Sequence, residues 1–199
     1  WKNGLRLISD GSEDAAGSRV SKWAIIAVAA LFAAVNALNA MGSWATFLKF
    51  MNPTSFGESD PLFGLDIGFY VFTLPFIKYI QSWLQGVLMV TLMGTLVSYF
   101  MTRSLSLEGT KLTASLRARF HLSLLGSLFI LTWGAGYWLA RYELLFSATG
   151  VVFGAGYTDV NILLPAFKIL TAAAAAAAVL LLMNFYRPMW KMSAVLIGI

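Results

Sequence analysis

Residues 60–76, DPLFGLDIGFYVFTLPF, decide how this chain is read. The stretch carries two carboxylates (Asp60, Asp66), two prolines (Pro61, Pro75), two glycines (Gly64, Gly68) and five aromatic rings. It joins an aromatic, partly polar segment to a long apolar run. That mixture does not suit an ordinary soluble loop. It suits a folded cap at a membrane surface that turns the chain and returns it to the bilayer. Pro75 then falls in the first turn of the next helix, where its missing N–H leaves nothing unsatisfied.

The composition on either side agrees. The 199 residues are 59% hydrophobic and 12% charged, whereas a soluble domain carries about a quarter charged residues. Several apolar runs reach the ~20 residues needed to cross a bilayer. The absence of cysteine excludes disulfides, thiolate nucleophiles and thiolate metal sites. A single histidine, His121, excludes a multi-histidine metal site within the chain.

The expected fold is an all-α integral membrane protein, a multi-pass helical bundle with amphipathic interfacial segments. Residues 1–22 are polar and are expected in water, with Arg19 and Lys22 against the first apolar run. Residues 23–199 form the transmembrane domain. The first span covers about 23–41, with alanines at 29, 30, 33, 34, 37 and 40 on one face, where small residues let another helix approach. Asn36 and Asn39 near its far end read as interhelical hydrogen bonds or interface solvation. Trp44, Phe47, Leu48, Phe50 and Met51 around Lys49 suit a short helix lying in the interface. Asn52-Pro53 ends it, because proline disfavours helical geometry in the residue before it.

The second span runs over about 75–101, with Gly86, Gly94 and Ser98 as a small-residue stripe. A basic loop occupies 102–119. The third span, about 120–140, ends at Arg141 and carries Trp133, Tyr137 and Trp138 at an aromatic-belt position. After a loop at 141–161, Thr158 or Asp159 is expected to cap a fourth span of about 162–186. An incomplete fifth span occupies 189–199. Residues 172–178 are seven consecutive alanines, read either as a small-residue helix face or as stand-ins for unassigned side chains. The start at Trp1 and the apolar finish at Ile199 read as a segment of a larger protein.

Charge orients the spans. The loop at 102–119 has four basic residues and one acidic, and 187–191 has two basic ones. Segments 42–74 and 141–161 are net acidic. By the positive-inside rule the N-terminal segment and the basic loops are cytoplasmic, and residues 60–76 lie outside.

The motifs resemble those of a family of large bacterial membrane proteins, uncharacterised protein family 0182. The resemblance rests on GSWATFLKF at 42–50, FGESDPLFGLDIGFYVFTLPF from Phe56, and His121-Leu122-Ser123. It continues in GYWLARYELLFSATGVVFGAGYTDV at 136–160 and LPA at 164–166. It covers roughly residues 20–199. It implies a bacterial inner (plasma) membrane location and about seven helices followed by a large extracytoplasmic domain. It implies no biochemical activity. The family often shows an aspartate where this sequence has Ala140, which removes a possible partner for Arg141.

No catalytic constellation is readable, so the residues do not argue for an enzyme. Asp60, Asp66, Lys78, Arg141, Glu143, Asp159 and Lys168 fall on one side by this topology, with Lys49. The lysines at 78 and 168 lie about one turn inside their spans and can snorkel to the interface. Two readings stand. Either these residues form an outer polar cluster that binds an ion, a headgroup or a partner, or they are caps and ion pairs that hold the loops on the bundle. DPLFGLD falls short of a calcium loop, because it lacks alternating oxygen ligands. His121 is a weak candidate for axial cofactor binding; the plain reading is a polar anchor. No metal and no cofactor are expected. Gly134-Ala135-Gly136 and Gly154-Ala155-Gly156 are too short for a phosphate loop. The basic loop points to anionic lipid rather than nucleic acid.

The expected function is that of a structural, assembly or accessory subunit of a larger membrane complex, with the bilayer and other membrane-protein subunits as partners. The alternatives are a transporter or channel segment, which would place ionisable groups near the midplane, or the membrane anchor of an enzyme whose extracytoplasmic domain lies elsewhere.

Overall fold

The computed structural model describes residues 2–102, 104–108, 111–147 and 154–183. Four helices dominate: α1 (Lys2–Met51), α2 (Leu74–Met101), α3 (Leu116–Glu143) and α4 (Leu164–Met183). Strands β1 (Leu105–Glu108) and β2 (Lys111–Ala114) join α2 to α3. Four stretches are long and apolar enough to cross a membrane: Ile26–Met51, Phe69–Met101, Leu116–Phe146 and Asp159–Met183. The fifth run expected at 189–199 lies outside the described residues.

α1 with Asn52 is one unit, and the residues from Pro53 on are a second. The short interfacial helix expected at 42–51 does not exist as a separate element, because α1 continues through it. Between Trp23 and Met51 there is no proline and one glycine, so nothing breaks the backbone ladder. Its apolar stretch of 26 residues is about 39 Å long at 1.5 Å per residue. The polar side chains fold onto their own helix. Asn36 Nδ2 donates to Phe32 O (2.8 Å), Asn39 Nδ2 to Val35 O (2.9 Å) and Ser43 Oγ to Asn39 O (3.0 Å). Asn52 ends the helix by donating Nδ2 to Leu48 O (3.0 Å), immediately before Pro53.

In the second unit α3 packs against both α2 and α4. The close approach is between α3 and α4, where glycine makes room. A Cβ on Gly134 would lie 2.8 Å from Ala174 Cβ, and one on Gly126 would lie 2.9 Å from Leu181 Cδ2. Ser127 Oγ, fully buried, donates to Ala178 O (3.0 Å), and Thr171 Oγ1 donates to Gly134 O (3.3 Å). The stripe expected on the second span does no such packing: a Cβ on Gly86 or Gly94 would meet nothing within 4 Å. α2 and α3 are tied by side-chain amides instead. Gln81 Nε2 donates to Thr132 O (2.9 Å), and Thr132 Oγ1 donates to Gln85 Oε1 (2.6 Å).

Both α2 and α4 begin with a π-turn, Phe69–Thr73 and Asp159–Leu163, and each turn is followed by Leu-Pro. Proline supplies no N–H, and its ring crowds the carbonyl four residues back. The wider turn relieves both, with Leu74 N–H reaching Phe69 O and Leu164 N–H reaching Asp159 O. The spans therefore start about one turn earlier than the prolines suggest.

The basic loop at 102–119 contains an antiparallel hairpin, with Leu105 opposite Ala114 and Glu108 opposite Lys111. Ser115 then caps α3, its Oγ accepting from Ala118 N–H (3.3 Å).

Candidate functional site

Most of the charged residues singled out in the sequence gather where α2 begins and α3 finishes. Residues 53–68 form a lid there. Asp60 N–H donates to Leu65 O (2.9 Å), Ile67 N–H donates to Glu58 O (3.0 Å), and Gly64 takes the positive φ of 69° that the turn requires. Gly68 is equally constrained, because a Cβ there would lie 2.4 Å from Thr54 O.

Both aspartates of the lid are consumed by its own donors. Asp60 Oδ1 accepts from Leu62 N–H (2.8 Å) and Phe63 N–H (2.6 Å). Its Oδ2 accepts from Leu65 N–H (2.9 Å) and the Tyr70 hydroxyl (2.7 Å). Burial opposes its ionisation, but the hydroxyl and three amides outweigh burial and hold its pKa below the ordinary value. Asp66 accepts from Ser55 Oγ (2.5 Å) and from the amides of Gly68 (2.6 Å), Phe56 (3.2 Å) and Gly57 (3.1 Å). Ser55 first and the amides after it lower its pKa to about 2.

Beneath the lid lies an aromatic core. Tyr70, Leu74 and Leu139 are buried, with Phe63, Phe69 and Tyr142 packed on them. Phe63 and Phe69 meet Tyr142 edge-on at 4.9 and 5.3 Å between centroids. Arg141 stacks its guanidinium 3.3 Å from the Trp138 ring centroid and 4.5 Å from that of Tyr142, with Phe63 at 5.7 Å. Its Nη2 donates to the Tyr142 hydroxyl (2.5 Å), while its buried Nε has no acceptor among the described residues. A cation lying over aromatic faces needs no carboxylate beside it, which is how Arg141 is accommodated next to Ala140.

Of the seven charged residues proposed from sequence, Lys78 and Glu143 make an ion pair across α2 and α3. Asp159 is buried at the start of α4, where its Oδ2 accepts from Gly156 N–H (2.9 Å). This is the reach-back half of a capping box, from the third helical residue to the cap amide. The forward cap expected of Thr158 or Asp159 is not formed. Lys168 is exposed in the second turn of α4. The lid carboxylates meet amides and hydroxyls, and neither lysine is their partner among the described residues. His121 is exposed at the start of α3, its Nδ1 3.1 Å from the Tyr99 hydroxyl. No group of three or more His, Asp or Glu that could hold a metal ion occurs among the described residues.

Two open grooves border the α2–α3 seam. One, of about 420 Å³, lies at Lys78 and Glu143 with Tyr70, Leu74, Pro75 and Phe146. The other, of about 740 Å³, is lined by Gln81, Gln85, Gly86, Trp133, Tyr137 and Phe167 among others, and its surface is overwhelmingly apolar.

The profile of an uncharacterised protein family, UPF0182, matches residues 9–199. The chain belongs to that family. It is 40% identical over 176 residues to a UPF0182 protein of Pelotomaculum thermopropionicum, covering 88% of this chain and 19% of the relative. It is 40% identical over 149 residues to one of Synechococcus sp., covering 75% and 17%, and 37% identical over 181 residues to one of Thermobifida fusca, covering 91% and 18%. The chain thus spans about a fifth of the length of these UPF0182 relatives. No solved structure matches it.

Sequence reasoning identified the lid and its aspartates but missed Tyr70, Gln81, Gln85 and Thr132. A signal for the glutamines was present: two amides four apart in an otherwise apolar span share one helix face and need partners there.

Proposed function

We propose that this part of a UPF0182 protein is a multi-pass membrane module serving as a structural, assembly or accessory subunit of a larger membrane complex. Four apolar helices of spanning length support the membrane reading. The charge bias of the loops favours a cytoplasmic N-terminal segment and an extracytoplasmic lid, in the inner membrane of a bacterium. The observation that carries the subunit reading is the half of α2 away from the lid. Gly94 and Ser98 are exposed there among Met93, Val97 and Met101, and Gly94 has open space at its Cβ position. Small residues in that setting let another helix approach closely, and α3 uses its own glycines in this way against α4. The lid charges support the same reading, because they close the lid rather than face a substrate.

The test is purification of the protein from native membranes in mild detergent. A stable complex containing other membrane subunits, lost in Gly94→Leu, is expected. A lone monomer, or a complex indifferent to Gly94→Leu, refutes the subunit role. Solute flux through liposomes holding the purified chain alone would favour a transporter or channel instead.

A further inference from the structure

The two grooves follow one another along the α2–α3 seam. Lys78 at the mouth is three residues from Gln81 on α2, and Glu143 is three residues from Ala140 on α3, so on each helix one turn leads from the ion pair into the apolar groove. From Lys78 to Met89, at the far end of the lining, is eleven residues, a rise of about 16 Å along an α-helix. That is close to one leaflet, half of a hydrocarbon core of about 30 Å. The volume of about 740 Å³ lies within the roughly 300–1,000 Å³ of small-molecule sites, which are likewise mostly apolar with few polar groups. The amides in its wall are engaged with α3 through Thr132. Of the two glycines in its wall, Gly136 lies against Gln81, whereas Gly86 has open space at its Cβ position.

The mouth offers one positive and one negative group, half-exposed at 34% and 45%. Such a pair is held weakly and opens readily. A ligand that satisfies both groups at once carries an anion and a hydrogen-bonding cation a few atoms apart, attached to an apolar chain. We infer that the α2–α3 seam binds one phospholipid with a phosphoethanolamine headgroup: the phosphate on Lys78, the ammonium on Glu143, and an acyl chain along the groove to Met89. This rests on the membrane reading above.

The chain is reconstituted in bilayers of phosphatidylethanolamine, phosphatidylcholine and phosphatidylglycerol in equal parts, then released into mild detergent, and retained lipid is read by native mass spectrometry. Phosphatidylethanolamine is expected to be retained about tenfold over phosphatidylcholine, whose quaternary ammonium has no N–H for Glu143, the factor carried by one charge-assisted hydrogen bond. Glu143→Gln is expected to erase that preference. Gly86→Leu, which fills the groove from a position where a Cβ meets nothing, is expected to abolish retention while leaving helix content unchanged. Equal retention of the three lipids by the wild type, or unchanged retention in Gly86→Leu, overturns the inference. Alkaline extraction of the same bilayers separates the two failures. A chain that stays with the membrane yet retains no lipid refutes the site alone, and a chain washed off refutes the membrane reading.

Discussion

Replacing Asp60 by Asn is expected to loosen the lid. The side chain keeps its shape, but one carboxylate oxygen becomes an NH₂ group. Whichever way the amide turns, that group faces two donors: Leu62 and Phe63 N–H on one side, or Leu65 N–H and the Tyr70 hydroxyl on the other. The hydroxyl can rotate to accept, and backbone amides cannot, so the NH₂ should settle toward Tyr70. Leu65 N–H then loses its acceptor, and the amides of Leu62 and Phe63 keep a neutral one. With hydrogen bonds to charged groups worth about 1.5–3 kcal/mol each and one amide left unsatisfied, the net loss is about 2–3 kcal/mol. For a chain of this size that is roughly 4–12 °C in Tm, readable by thermal unfolding in detergent. Tyr70→Phe should cost about 1.5–3 kcal/mol, and much less in the Asp60→Asn background, where the hydroxyl no longer meets an anion. If Asp60→Asn melts within a degree of wild type, or if the two changes are additive, the carboxylate is not the organiser of the lid.

Three further outcomes follow from the geometry. Gly134→Ala should destabilise the α3–α4 contact by about 1–3 kcal/mol through overpacking, because its Cβ would lie 2.8 Å from that of Ala174, whereas Gly94→Ala, which meets nothing, should leave Tm unchanged in the isolated chain. Asp66 has a folded pKa of about 2 against an ordinary 3.8; its ionised form therefore stabilises the lid fully above about pH 4, and this is lost as pH falls from about 4 to about 2. Amide chemical shifts of Gly57 and Gly68 should follow that transition and lose it in Asp66→Asn. Ser127→Ala, removing the buried bond to Ala178 O, should cost only about 0.6 kcal/mol, the mean for side-chain hydrogen bonds between membrane helices, measured as a shift in the same melting curves.

Much of the architecture was legible in hydropathy alone, because an apolar run of spanning length allows few other structures. Where helices begin and end was less legible. Trp44, Phe47 and Lys49 have interfacial composition, yet composition does not stop a helix; only Asn52-Pro53 does. The prolines at 75 and 165 pointed to helix starts but hid the π-turns before them, which accommodate the proline ring against a carbonyl upstream. At the site, two aspartates among glycines were visible, but their partners are mostly backbone amides, which have no signature in a sequence. Gly86 and Gly134 look alike on paper. One borders open space and the other touches Ala174, and that difference is decided by where α4 lies.

The paired π-turns fix a phase as well as a shape. Each holds one residue more than the α-helical turn it replaces, and one residue is about 100° of rotation about a helix axis. Deleting Phe72 from Phe69–Thr73 would turn everything before it by that angle against α2, with every residue of the lid retained. The lid would nonetheless swing by about a quarter turn, carrying Tyr70 off Leu139 and Tyr142. Substitutions in this segment should therefore be tolerated more readily than a change of length by one, and the alignment frame between the lid and α2 is itself a structural parameter.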